Sequence, residues 1–310
     1  MLPPPRRLGV MAERGWRIVL ITTVQPVAAN LVPVLRELGH DPVAIISARR
    51  PAGRAGPRGD FPELSDSSAP PGVDVLIARD KWSMEPLLRA CQPDLAMCWG
   101  FSWRIPLAAL EVPRLGSINQ HPALLPRHRG PIPISWAIRN GDAEYGVTWH
   151  RMDADLDTGR ILAQTTVPMS DDDFDYLTIG PRLLRAAFEL LPRVFDRLAS
   201  GDAGDPQPTE GATWAGHFGE DYATIDWRQS ARAIHNQVRA WAFVTSTNPV
   251  PGPIAELDGT QVRITRTSLV QPMEPEGTIR IETGDGPIWV VAWEPLDEPV
   301  DMPSAAPSSS

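Results

Sequence analysis

The chain has 310 residues, 42% of them hydrophobic and 22% charged, and a formal net charge of −9. That is enough apolar content for one large soluble domain or two ordinary ones, and it leaves no overall basic footprint for nucleic acid. Two cysteines, Cys91 and Cys98, exclude a disulfide framework and a cysteine zinc site and are expected of a reduced, cytoplasmic protein; no stretch nears the roughly 18 apolar residues of a membrane span, and the N-terminus lacks a secretory leader's apolar run.

In chain order, "WRIVLITTV" (16–24) is a short β-branched run of buried-strand type. In "PVAANLVPVLRELGH", Val27, Leu31, Val34, Leu35 and Leu38 share one helical face and Gly39 marks the stop. "DPVAIIS" (41–47) is a second strand, so the chain begins with a βαβ unit and a parallel sheet. A long polar loop follows to Gly72, basic at its start through Arg49, Arg50, Arg54 and Arg58. "VDVLIA" (73–78), "PDLAMCWG" (93–100) and "LGSINQH" (115–121) read as further strands, with a helix over "WSMEPLLRACQ". "GPIPISWAIRNG" reads as a helix ending at Gly141. "YGVTWHRM" and "GRILAQTTVPM" read as two strands separated by "DADLDTG".

The most periodic segment is "YLTIGPRLLRAAFELLPRVFDRLASG" (176–201). Leu183, Leu184, Ala187, Leu190, Leu191, Val194 and Leu198 recur at helical spacing. A Pro- and Gly-punctuated connector (205–223) leads to a helix over "WRQSARAIHNQVRAWAF" and then to short alternating strands split by Gly, Pro and Asp-Gly turns. The expected organisation is a flexible N-terminus (1–15), an α/β domain with a mostly parallel sheet (16–214), a linker helix with a small β module (215–300), and a disordered Pro/Ser-rich tail (301–310).

In open α/β sheets ligands bind beyond the carboxyl ends of the strands, and Asn119 and His121 stand at such an end. Asp157 lies in a loop between two strands, beside the tight turn Thr158-Gly159. An amide, an imidazole and a carboxylate brought together could polarise a carbonyl, stabilise an oxyanion and move protons. Taken singly, Asn119 and His121 equally fit a turn with a satisfied polar residue. Asp157 equally fits a turn residue, and Asp153 and Asp155 fit solvated loop charges. Trp99 and Trp103 fit core or pocket walls. His40, His128, His217 and His235 show no metal-ligand spacing, and His150 could face the site or pack quietly.

The string from Ser117 to Gln164 carries more. It contains Asn-X-His-Pro-X-Leu-Leu-Pro-X-X-Arg-Gly from Asn119, then Ala-Ile-X-X-Gly, Gly-Val-Thr and Leu-Asp-Thr-Gly in order. In this it resembles the N10-formyltetrahydrofolate-dependent formyltransferases. The resemblance implies a Rossmann-like catalytic domain in which Asn119, His121 and Asp157 transfer a formyl group from the folate N10 to an amine. Asn119 and protonated His121 would stabilise the oxyanion, and Asp157 would hold the histidine and relay the amine proton. No metal is implied. "CWGFSWRIP" is similar to the segment lining the pterin pocket, which makes Arg104, Ile105 and Pro106 folate contacts. The loop from Asp153 through Asp155 to Asp157 would form the other pterin wall, with Leu125 in the loop bordering the site. The later strands resemble the OB-like C-terminal domain of methionyl-tRNA formyltransferase and some sugar-amine formyltransferases.

Two acceptors follow from the resemblance. The basic stretch "RRPAGRAGPRG" and the β module fit initiator methionyl-tRNA. The net charge, "LITTVQPVA" in place of the tRNA enzyme's Gly-Thr-Pro, and a β module without lysine disfavour it. The expected acceptor is therefore a small-molecule amine: an amino sugar, a hydroxylamine-bearing ornithine or another biosynthetic intermediate. Trp99, Trp103, Trp136 and Trp149 could stack on it or could pack. A formyl-folate hydrolase and a non-catalytic folate-binding relative stay open as alternatives, as does a homodimer.

Overall fold

The computed structural model describes residues 15–48, 69–244, 248, 250–274 and 276–296. The expected flexible start up to residue 14, the arginines at 49, 50, 54 and 58, and the tail from 301 lie outside the described residues.

β1 (Arg17–Ile21) buries four of its five side chains and β4 (Leu95–Trp99) all five. This is the continuous apolar pattern of a parallel strand covered on both faces. β1 pairs in parallel with β4 on one side and with β2 (Asp41–Ala48) on the other. β3 (Asp74–Ala78) extends the sheet beyond β2, and β5 (Ser117–His121) extends it beyond β4, both in parallel. The direction then reverses: β6 (Glu144–Arg151) runs antiparallel to β5, and β7 (Ile161–Pro168) antiparallel to β6. The order is β3-β2-β1-β4-β5-β6-β7, a Rossmann-like, mostly parallel sheet.

Strand alternation divides β1 between two cores. Ile18 and Leu20 face the larger one, with Trp99, Trp149, α1 (Gln25–Glu37) and α5 (Tyr176–Ala199). Val19 and Ile21 face the other, with Cys98, Ile105, α2 (Met84–Cys91) and α3 (Leu107–Leu110). α5 starts where the Asp175 side chain accepts the Thr178 N–H at 2.8 Å. It buries Leu183, Ala187, Leu191, Val194 and Leu198, and Leu184 and Leu190 pack against the same core from its edge.

The C-terminal part is a second, antiparallel sheet in the order β10-β11-β9-β8, built of β8 (Ile254–Leu257), β9 (Thr260–Ser268), β10 (Ile279–Glu282) and β11 (Pro287–Pro295). Asp258 and Gly259 turn β8 into β9 with φ of 49° and 74°, the positive pair that an Asp-Gly hairpin favours. α6 (Ala231–Ala242) joins the two parts. Its Ile234 and Val238 enter the core of the small sheet, while Ala240 and Trp241 enter the larger core. The connector stays with the larger core through Phe218 as far as Ala223.

Buried polar groups tie α6 in place. Arg239, 2% exposed, donates to Asn236 Oδ1 at 3.2 Å and to the Ser170 carbonyl. One ring nitrogen of His235 lies 2.9 Å from Thr267 Oγ1 and the other 3.1 Å from the Asp171 carbonyl. Burial, with the Arg239 guanidinium beside it, pulls the His235 imidazole down to about 4. The ring is therefore neutral in the folded chain, while unfolding lets it take a proton below its ordinary value of 6.5. Its contribution is complete above that pH and is lost as pH falls towards 4, by up to about 3 kcal/mol. Urea unfolding between pH 7.5 and 4.5 should show this decline, and His235→Gln should flatten it.

Candidate active site

Asn119 and His121, two apart on β5, project from the same face of the sheet. They sit where the sheet changes from parallel to antiparallel, with Asn119 opposite Cys98 of β4 and His150 of β6. Asp157 reaches them from the β6–β7 loop in the left-handed conformation, φ 57°. Asp153 Oδ1 closes that loop, accepting from the Asp155 N–H at 3.2 Å and from Thr158 Oγ1 at 2.7 Å. Gly159 lets it fold tightly, since a Cβ there would lie 1.8 Å from the Arg151 carbonyl oxygen.

The three sequence-predicted groups converge, and a fourth joins them. The Asn119 amide donates to His150 Nε2 at 3.2 Å and to Asp157 Oδ1 at 3.4 Å. Asp157 Oδ2 accepts the Gly130 N–H at 2.9 Å and lies 3.6 Å from His121 Nδ1. His121 Nε2 is 2.8 Å from the His128 carbonyl, and His150 Nδ1 is 2.7 Å from the Arg151 carbonyl. A carbonyl only accepts, so those two nitrogens carry the protons. The other ring nitrogens, Nδ1 of His121 and Nε2 of His150, are the ones that face Asp157 and Asn119.

Asp157 is 7% exposed and His121 4%. Burial opposes the carboxylate charge, but the two imidazoles and the Gly130 N–H outweigh it and hold Asp157 down to about 2. For His121, burial outweighs the attraction of Asp157 and moves the ring below its ordinary value. The neighbouring carboxylate favours the cation, but desolvation is the larger effect. Cys98, buried beside Asp157, is pushed up to about 12 by burial first and the carboxylate second, so its thiol stays protonated.

The predicted folate contacts fall into two groups. Arg104 bridges two loops, donating to the Ala154 carbonyl and, at 3.1 Å, to Asp155 Oδ1. It thereby joins Asp153 and Asp155 at one rim. Pro106, half-buried, starts α3. Ile105 and Leu125 are buried at 4% and 2% exposed, and what Leu125 offers outward is its carbonyl, which accepts from Gln164 Nε2 at 3.2 Å. Of the four tryptophans considered for acceptor stacking, Trp149 and Trp99 are core residues, edge to face at 5.6 Å. The Trp149 indole also donates to the Ala187 carbonyl at 2.9 Å. Trp103 packs edge-on against Phe101, and Trp136 donates to the Gly216 carbonyl at 2.7 Å.

The sequence leaves the role of His150 open. The signal that finds it is strand register, because pairing of β6 with β5 sets it against Asn119. Gln207 has no local signal. From the connector it donates to the Asp157 and Gly159 carbonyls at 2.9 and 2.7 Å, and it accepts from Arg129. Among the described residues, no group of three or more His, Cys, Asp and Glu is placed to hold a metal ion.

Comparison with known proteins identifies the family. Residues 75–195 match the family model described as formyl transferase, and residues 220–300 match the one described as formyl transferase, C-terminal domain. A methionyl-tRNA formyltransferase of Trichlorobacter lovleyi is 33% identical over 282 residues, covering 89% of this chain and 85% of the relative. The chain belongs to the formyltransferase family. A second such relative of this formyltransferase, from Aromatoleum aromaticum, is 33% identical over 278 residues, covering 89% of this chain and 86% of its own. Two solved structures share the fold. The N-formyltransferase from Helicobacter canadensis, in complex with folinic acid and dTDP-3-aminofucose, superposes with a TM-score of 0.63 at 19% identity, over 88% of this chain and 98% of that one. HypX from Aquifex aeolicus, in complex with tetrahydrofolic acid, gives 0.62 at 19% identity over 90% of this chain, which spans only 44% of HypX.

Proposed function

We propose that this formyltransferase moves a formyl group from N10-formyltetrahydrofolate to the amine of a small molecule. The observation that carries the chemistry is the convergence of Asn119, His121 and Asp157 around one buried point. The acceptor amine attacks the formyl carbon, and the carbonyl oxygen becomes an oxyanion in a tetrahedral intermediate. Asn119 donates to that oxygen, exchanging its longer bond, the one to Asp157, for the developing charge. His121 Nδ1 takes the proton that the attacking nitrogen sheds. The imidazolium so formed lies against the Asp157 carboxylate, and it returns the proton to N10 as the carbon–nitrogen bond to folate breaks. Arg104 and the Asp153–Asp155 loop border the folate side. The two solved neighbours bound to folate derivatives support that donor.

The acceptor assignment rests on charge. From Ile254 to Leu296 the chain carries seven carboxylates (Glu256, Asp258, Glu274, Glu276, Glu282, Asp285 and Glu294) and three arginines, Arg263, Arg266 and Arg280, with no lysine. Arg263 is paired with Glu294 at 2.7 Å, Arg280 is paired with Glu282, and Arg266 lies 5.1 Å over the Phe174 ring. Tight binding of a tRNA backbone needs several cations free to replace counterions, and this surface carries net negative charge. Initiator methionyl-tRNA is the second reading, favoured by the names of the 33%-identical relatives.

The test incubates the protein with N10-formyltetrahydrofolate and, separately, a panel of amino sugars and amino acids, charged initiator methionyl-tRNA, or no acceptor. The expected result is a mass gain of about 28 Da, the formyl increment, on a small amine and none on the tRNA. Formylated tRNA would overturn the acceptor assignment. Formate release that needs no amine would make the protein a hydrolase, and binding without turnover would make it a folate-binding relative.

A further inference from the structure

The proton that His121 donates to the His128 carbonyl determines which of its nitrogens is left to face Asp157. Resting on the reading of His121 as the acid–base group, we propose that His128 is a positioning residue, whose side chain, tied to Asp142, holds its own carbonyl where it fixes the tautomer of His121.

His128 is a non-glycine residue in the left-handed region, φ 58°, a conformation that persists only where its surroundings enforce it. Two side-chain contacts do so here. Its N–H donates to Thr213 Oγ1 at 2.8 Å, and its ring Nε2 lies 2.8 Å from Asp142 Oδ2. Asp142 is itself gripped by Arg127 through both carboxylate oxygens, at 2.7 and 2.9 Å. The Asp142 N–H donates to the Ala137 carbonyl at 3.0 Å, which ties it to the end of α4 (Pro133–Arg139). A rigid helix end is thus connected through a carboxylate and an imidazole to the carbonyl under His121.

The connector bonds the main chain of this loop, Thr213 N–H to the Pro126 carbonyl at 3.3 Å and Arg129 N–H to the Thr213 carbonyl at 3.0 Å, and the His128 side chain holds it from the opposite side. A cavity of about 140 Å³ opens against it, lined by Leu124, Arg127, His128, Asp142, Glu144 and Thr166 among others. Neither Asn119, His121 nor Asp157 borders this cavity, so it is separate from the reaction centre. Without the His128 ring the 126–130 segment has room to relax outward. The carbonyl would then leave Nε2, and His121 could carry its proton on Nδ1, where it hydrogen-bonds Asp157 and no longer accepts a proton from the amine.

The test compares wild type with His128→Ala, Asp142→Ala and Asp142→Asn. The last keeps an oxygen acceptor for the His128 ring. Two readouts are used: kcat and KM for N10-formyltetrahydrofolate with the acceptor found above, and long-range ¹H–¹⁵N NMR of ¹⁵N-histidine-labelled protein. The expected result is a kcat loss on the order of 10- to 100-fold in both alanine variants with KM nearly unchanged. The His121 proton should move from Nε2 towards Nδ1, and Asp142→Asn should recover most of the loss. Alanine variants with wild-type kcat, or with His121 still protonated on Nε2, would overturn the proposal. So would a wild-type protein whose His121 carries its proton on Nδ1, a result independent of turnover. If no acceptor is ever formylated, the function reading fails, and the NMR comparison still decides the tautomer question. Should either alanine variant fail to fold, Asp142→Asn and His128→Asn carry the same comparison, because asparagine tolerates the left-handed conformation.

Discussion

Asp157→Asn should lower kcat on the order of 10³-fold while leaving the far-UV circular dichroism spectrum unchanged. The substitution preserves shape and one acceptor oxygen for the Gly130 N–H, so the β6–β7 loop keeps its anchor. It removes the charge against which the His121 imidazolium forms. Because burial already biases His121 towards its neutral state, the cation that appears during transfer depends heavily on that carboxylate. His121→Ala should be equally damaging, and the double variant should be little worse than either single one, because the two groups act as a unit. The native carboxylate, held at about 2, binds its proton less readily than in the unfolded chain. Its contribution to stability is therefore present above the ordinary value near 4 and fades as pH falls towards 2, up to about 2 kcal/mol. Steady-state transfer assays with urea unfolding at pH 7 and pH 3 separate the effects. Turnover within a few-fold of wild type in Asp157→Asn would sink the proton-transfer assignment.

What could be read from the chain and what could not follow from the range of the interactions. The strands at 17–21 and 95–99 and the helix at 176–199 were legible because burial imposes local patterns, a continuous apolar run in the first case and a period near 3.6 in the second. Asn119 and His121 were legible because a motif marks the end of a strand. Strand alternation also sorts the residues of β6. Thr148 and His150 share the face that turns to Asn119, which sends Trp149 to the opposite, fully buried side and removes it as an acceptor platform. Gln207 and Thr213 were not legible. They support Asp157 and His128 across 50 and 85 positions of chain, and no local pattern encodes such a contact. The downward shift of His121 was not legible for a related reason: a neighbouring carboxylate can be guessed from a motif, whereas desolvation depends on everything packed around the ring. β8 escaped too. It is only four residues long, and its pairing with β9 defines it more than its composition does.

Gly146→Ala is expected to cost about 3 kcal/mol or more of stability and, in whatever fraction folds, on the order of 100-fold in kcat. Gly146 does not adopt a positive φ, so alanine is not strained in its backbone and the whole effect is steric. A Cβ at this position on β6 would lie 1.7 Å from the Leu124 nitrogen and 2.1 Å from the Ala123 carbonyl carbon. Both obstacles are main chain, and neither can rotate away as a side-chain tip could. The segment after His121 would have to lift off β6, breaking the 2.6 Å bond from Thr148 Oγ1 to the Ala123 carbonyl. The same displacement would carry the His128 carbonyl from His121 and the Gly130 N–H from Asp157, since both lie on the segment that lifts. Gly201→Ala supplies the contrast. That residue has φ 74°, and a Cβ added there would meet nothing within 4 Å. Alanine at 201 therefore meets only the left-handed backbone cost of about 1 kcal/mol and leaves transfer untouched. Urea unfolding and kcat of the two variants, measured together, distinguish steric displacement of the catalytic loop from a general penalty for losing a glycine. Equal behaviour of the two would mean that the loop does not depend on close approach to β6.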